Sequence, residues 1–133
     1  MNKPAGNPTV EISVGELIDK ISILEIKSER LTDAQMLANV RAELEALTAV
    51  RRQYVEPSAE LDRLGTELKA VNSLLWDIEN TVRGHEREQR FDAAFIDSVR
   101  SIYRNNDRRA ALKRRINELT GSRLKEEKQY TDY

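Results

Sequence analysis

The sequence predicts an all-α domain, an antiparallel four-helix bundle-like fold whose third and fourth helices are long. Apolar residues recur at spacings of three and four through most of the chain, the period of a helix buried along one side. Helix-breaking residues are sparse: the prolines are Pro4, Pro8 and Pro57, so two long helices fit beyond Ser58. Strand signals are confined to a weak β-prone stretch, Thr9–Ser13.

Residues 1–12 read as an irregular, partly mobile lead-in. Ser13–Val14–Gly15–Glu16 is a capping box, in which the Ser hydroxyl accepts from an amide of the first turn and Glu16 reaches back. The first helix then runs to about Arg30, with Val14, Leu17, Ile21, Leu24 and Leu31 on its main face and Ile18 widening it. Glu25 falls on that side, where a carboxylate must be paired, protonated or at an opening. Ile23 and Ile26 point elsewhere, and a helix apolar on two faces is either central or touches a second subunit.

Thr32–Asp33–Ala34–Gln35 reads as a second capping box. The helix it opens carries Met36, Leu37, Val40, Leu44, Leu47 and Val50 and stops before Pro57, which disfavours helical geometry at Glu56. Ser58–Gly84 is expected as the central helix, about 27 residues and ~40 Å long. Its stripe, Leu61, Leu64, Leu68, Val71, Leu75, Ile78 and Val82, alternates steps of three and four as a heptad seam does, and His85 continues it. Beside the seam runs a second row, Gly65, Asn72, Trp76, Glu79 and Arg83, placing the only tryptophan among polar groups. Such an indole either packs at the seam edge or forms part of a site.

His85–Arg90 reads as a charged connector and Asp92 as the cap of the last helix, with Phe91 and Ile96 spaced for a hydrophobic staple. That helix runs to about Thr120, and Gly121 suits its left-handed terminus. The expected organisation is therefore a lead-in over 1–12, one helical domain over 13–121 and a charged tail over 122–133.

The last helix has an interrupted stripe. Phe95, Val99, Ile102 and Tyr103 begin it, and Leu112, Ile116 and Leu119 resume it, with Arg104–Asn105–Asn106–Asp107–Arg108–Arg109 between. Folding back near residue 90 sets Asn106 opposite Leu75, Arg109 opposite Asn72, and Tyr103 opposite Ile78 and Glu79. The candidate polar cluster is thus Glu25, Asn72, Trp76, Glu79, Arg83, Tyr103, Asn106, Arg109 and Lys113. As a site it would bind a small anionic ligand: Arg83, Arg109 and Lys113 donate, Asn72 and Asn106 orient, Trp76 and Tyr103 form flat walls, and Glu25 or Glu79 serves as acid or base. As a structural network it would be ion pairs and amides that set helix register.

Composition narrows the classes. The chain has 133 residues, enough for one domain with a real core. Its formal charge of −1 gives no overall field toward nucleic acid or membranes. There is no Cys, no apolar leader and no run approaching the ~18 residues of a membrane span, so a cytoplasmic protein is expected. One His and no Glu-x-x-His pair argue against a metal, and no cofactor signature is present. A basic row on the last helix, Arg100, Arg104 and Arg108, lacks interleaved aromatics or a base-reading motif, so a solvated face is expected rather than a nucleic-acid site.

SVGELIDKISILEIK (Ser13–Lys27), LWDIE (Leu75–Glu79), VRSIYRNNDRRAALKRRIN (Val99–Asn117) and EEKQY (Glu126–Tyr130) resemble a bacterial family of small all-helical proteins described only as a domain of unknown function. The resemblance implies a helical cytosolic protein, set near genes for sugar transfer and surface-polysaccharide assembly, and it brings no site residues. More weakly, ELIDKISILEIKSER is similar to the opening helix of the helical chorismate mutases, which clamp a dicarboxylate with basic residues; Arg30, Arg109 and Lys113 would be the counterparts here. The function expected is a helical protein-interaction or self-association module, leaning away from enzyme. It would be a homodimer that buries Ile23 and Ile26 or the projecting ends of the long helices, or would meet another protein. The alternative is a binder of, or enzyme acting on, a small anionic metabolite at the polar cluster.

Overall fold

A computed structural model describes residues 2–133. It contains four helices: α1 (Val14–Arg30), α2 (Ala34–Tyr54), α3 (Ala59–Glu88) and α4 (Ala93–Thr120). No strand forms among the described residues. Each helix starts at a side chain that accepts an otherwise orphaned amide: Ser13 from Glu16, Asp33 from Met36, Ser58 from Leu61 and Asp92 from Phe95.

Three of these starts differ from expectation. Asp33, not Thr32, caps α2, because its carboxylate is the stronger acceptor beside the positive helix end. Glu16 does not reach back to its cap; its carboxylate is drawn to the Lys113 ammonium at 2.9 Å. The staple between Phe91 and Ile96 does not form either. Phe91 packs edge-on against Phe95 at 5.3 Å, while Ile96 remains 53% exposed.

The centre of the fold is α1, not α3. It packs against each of the other three helices, and α3 packs against α4. Positions that meet across α1 and α3 rise together, as with Ile18 and Gly65, Ser22 and Asn72, and Arg30 and Asp77, so these two helices run parallel. Across α1 and α4 they run oppositely, with Gly15 at Asn117 and Asp19 at Arg109. The topology is up-down-up-down with α1 drawn into the middle. The apolar core joins Leu17, Ile18 and Ile21 of α1 to Leu61, Leu64, Leu68 and Val71 of α3, Leu112 and Ile116 of α4, and Val55 after α2. α2 contributes the half-buried Leu44 and Leu47 from the outside.

α3 does not end at Gly84. A side chain at that position would meet only open space, so nothing forces a break there, and the helix continues to Glu88. It stops at Gln89, which turns left-handed at φ 55°. That conformation costs about 1–2 kcal/mol outside glycine, and the Gln89 side chain offsets part of it by donating to the Glu86 carbonyl at 2.8 Å. α4 ends, as expected, on a left-handed Gly121.

Arg30, the last residue of α1, pairs with Asp77 at 2.5 Å. α3 beyond that point and the start of α4 therefore stand clear of α1 as a two-helix hairpin. The contrast in burial is sharp. Leu61, Leu64, Leu68 and Val71 are at most 2% exposed, whereas Leu75, Ile78, Val82, Phe95 and Ile102 are only half-buried, and Val99 is 36% exposed.

The tail is also tied down. Beyond Gly121 it runs back along α4: Glu126 meets Lys113, Glu127 meets Arg114, and the Tyr133 hydroxyl donates to Asp107 at 2.5 Å. Arg123 grips Glu11 of the lead-in, and the Ser122 hydroxyl accepts from the Val14 amide. No helix among the described residues is long and apolar enough to cross a membrane.

Candidate functional site: a buried carboxylate beneath an open cleft

The polar centre of the molecule is Asp19, 1% exposed in the middle of α1. Its two oxygens take a forked pair of bonds from Arg109 of α4, Nε at 3.0 Å and Nη2 at 2.5 Å. Asn72 of α3 donates its amide nitrogen to the same carboxylate and to the Ser22 hydroxyl, each at 2.8 Å, and Ser22 donates in turn to the Asp19 carbonyl. Three helices thus meet on one carboxyl group. The fork is the geometry in which guanidinium and carboxylate bind most strongly. The hydrogen bonds from Arg109 to Asp19 stabilise its cationic form, outweighing the burial that opposes it.

The polar side of α1 explains how this happens. Gly15, Asp19, Ser22 and Ile26 are all buried and follow steps of four, three and four, a second seam made mostly of small and polar residues. At its amino-terminal end, away from the cleft, Gly15 lets the helices touch. A Cβ there would lie 2.6 Å from the Lys113 carbonyl and 2.9 Å from Asn117 Oδ1, and the Gly15 amide donates to that same Oδ1 at 2.6 Å. Next to it Lys113 is buried between Glu16 and Glu126, at 2.9 and 2.8 Å. Burial pulls its ammonium down, but the two carboxylates outweigh that and leave it raised.

Above the Asp19 network an open cleft of about 260 Å³ lies between α1, α3 and α4. Ile23, Ile26, Leu75 and Ile102 make its apolar wall, and Asn72, Trp76, Glu79, Asn106 and Arg109 complete it. The Arg30 guanidinium sits over the indole, 5.8 Å from its centre. Asn72 and Arg109 face each other here through one shared carboxylate.

Five of the nine candidate residues therefore line one cleft: Asn72, Trp76, Glu79, Asn106 and Arg109. The other four are elsewhere. Glu25 lies on the far side of α1, in a groove between α2 and α3, paired with Lys69 at 3.2 Å. Arg83 is 75% exposed and reaches one helical turn back to Glu79. Tyr103 faces outward, edge-on to Tyr133 at 5.1 Å. Lys113 is one turn beyond Arg109, spent on its two carboxylates. The amide that enters the helix interior next to Arg109 is Asn105, 8% exposed, which donates to the Ser101 carbonyl; Asn106 borders the cleft. Leu119, expected in the stripe, is 44% exposed, and Ile116 and Asn117 take the buried positions there.

Asp19 and Ser22 were not among the candidates. Their signal was the four-three-four spacing with Gly15 and Ile26, which composition alone reads as a solvated face. Among the described residues no three His, Asp or Glu side chains converge as a metal site requires.

Fold and site together define a small four-helix domain organised on a buried ion pair, with a shallow polar cleft above it. The chain belongs to a family of unknown function, DUF6165, whose family model matches residues 8–133. No curated protein and no solved structure matches the chain.

Proposed function

We propose that this chain is a cytoplasmic self-association module that uses the projecting α3–α4 hairpin. The observation that carries this is the burial contrast along one continuous seam, complete beside α1 and incomplete beyond Arg30. A two-helix hairpin has no third layer to cover its apolar side, and a second copy packed on it would make a four-helix end. About 11 residues at 1.5 Å each give the hairpin a length of ~16 Å. With two helices ~10 Å apart its face is smaller than the ~800 Å² per partner of a standard interface, so the dimer is weak and reversible. Ile26 takes no part, since it is 2% exposed within one copy. The setting suggested by the resemblance is an accessory role in bacterial surface-polysaccharide or sugar-transfer pathways.

The test is light scattering after size exclusion across protein concentration. Wild type is expected to shift from monomer toward dimer, and Ile96→Asp with Val99→Asp to remain monomeric with unchanged helicity. A wild type that is monomeric throughout, or a dimer indifferent to both changes, refutes the reading.

A second reading has its own observation. The Asn72 carbonyl oxygen, the Trp76 indole N–H and both ends of the Asn106 amide bond no other group among the described residues, yet all three residues line the cleft. This supports a binder of, or enzyme acting on, a small metabolite. Thermal-shift screening of wild type and Asn106→Leu tests it: a ligand that raises the melting temperature of wild type alone supports a site. No shift with any compound removes this reading.

A further inference from the structure

The charges around the cleft are already matched, and this bears on what the cleft can hold. Arg109 is neutralised by Asp19 at 2.5 Å, Glu79 by Arg83 at 2.9 Å, and Arg30 by Asp77 at 2.5 Å. An anion arriving at the outer edge of Arg109 would meet a guanidinium already shared with a carboxylate, beside the carboxylate of Glu79. The cleft carries no uncompensated positive charge for it.

Asn72 carries the argument further. An ionised carboxylate only accepts, so the amide nitrogen of Asn72 must be the end facing Asp19. Both of its N–H groups are then used, on Asp19 and Ser22. Its Oδ1 is left without a donor among the described residues, although the residue is only 5% exposed. Among the described residues no fully buried side-chain oxygen or nitrogen lacks a partner, so this Oδ1 must open onto the cleft it borders. The same cleft is lined by donors, Arg109 and the Asn106 amide, and by the flat wall of Trp76.

We propose that the cleft holds a single neutral polar ring rather than an anion. Its apolar face lies along Trp76 and Leu75, and its edge donates to Asn72 Oδ1 while accepting from Arg109 and Asn106. The size agrees, since about 260 Å³ falls below the ~300–1,000 Å³ of common ligand sites and accommodates one ring, not a dinucleotide. A pyranose and a pyrimidine base both offer this chemistry, and binding trials separate them. This inference rests on the second reading above and narrows its ligand class.

Trp76 is the only tryptophan, so its emission reports on this cleft directly. The full chain is titrated separately with methyl pyranosides, uracil, cytosine, inorganic phosphate and malonate. A saturable change is expected with one of the neutral rings and none with the two anions, at a Kd on the order of millimolar for so few ligand atoms. Asn72→Leu should abolish it, and Asn106→Leu, which removes no internal bond, should weaken it about tenfold. Should Asn72→Leu fail to fold, Asn106→Leu decides alone. Saturation by phosphate or malonate without the rings overturns the neutral-ring class and leaves the cleft a site. Binding that ignores Asn106→Leu overturns the proposed position. No saturable change with any probe overturns both the class and the second reading.

Discussion

Removing one partner at a time from the central ion pair should give unequal losses, with Arg109 the costlier. Arg109→Met leaves the Asp19 carboxylate, 1% exposed, bonded only to the Asn72 amide and without a counter-charge in contact. Stranding one charge of a buried pair costs about 3–5 kcal/mol. Asp19→Asn strands the guanidinium instead, but that side chain is 30% exposed and can turn to water. Its loss is then chiefly the charge-assisted hydrogen bonds, about 1.5–3 kcal/mol. At roughly 3–4 °C per kcal/mol for a chain of this length, the two variants should melt apart by several degrees. The double variant should cost less than the sum of the single ones, since neither charge remains. Urea unfolding of all four proteins measures this. Equal losses, the reverse order, or simple additivity would refute the argument that the burial of Asp19 makes the pair asymmetric.

Two further expectations follow from other contacts. Gly15→Ala should destabilise by about 1–3 kcal/mol in spite of alanine's better helix propensity, because the new methyl meets the Lys113 backbone, which cannot rotate away; a gain in melting temperature would contradict the close approach. The tail contact should weaken in acid. The hydrogen bond from Lys113 holds the Glu126 carboxyl below its ordinary 4.5, so its contribution is full above that pH and is lost as pH falls through the lowered value. Glu126→Gln should accordingly cost stability at neutral pH and nothing once the pH lies below that lowered value, read from urea midpoints at each pH. A constant difference across the range would exclude the linkage.

The helix limits were legible because they rest on local chemistry. Ser13, Ser58, Asp92 and Gly121 act within one turn of themselves, and their side chains or φ angles need no distant partner. The pairing of α3 with α4 was also legible, since a short connection and two stripes leave little freedom in register. The centrality of α1 was not. Asp19 and Ser22 look like a solvated face until Asn72 and Arg109 are known to lie opposite, 53 and 90 residues away. The same reason scattered four of the nine candidates. Periodicity tells which side of its own helix a residue occupies, but Glu25, Arg83 and Lys113 were assigned by charge, and Tyr103 by the fold-back register, to neighbours that only the packing of a third helix could specify. Gly84 misled in the opposite sense: glycine permits a helix to end, at about 1 kcal/mol of lost propensity, without requiring it.

The distance along the chain between Asp19 and Arg109 has a consequence for synthesis. The carboxylate is made 90 residues before the guanidinium that answers it. At about 5–20 residues per second, the ribosome leaves it waiting roughly 5–18 s. During that interval α1 and α2 can form a hairpin, but the seam of Gly15, Asp19, Ser22 and Ile26 has nothing to close on, and a hydrated Asp19 opposes burial. The nascent amino-terminal half is thereby kept from settling into a dry, self-sufficient unit. The seam can close only once α4 has been made and brings Arg109 to Asp19.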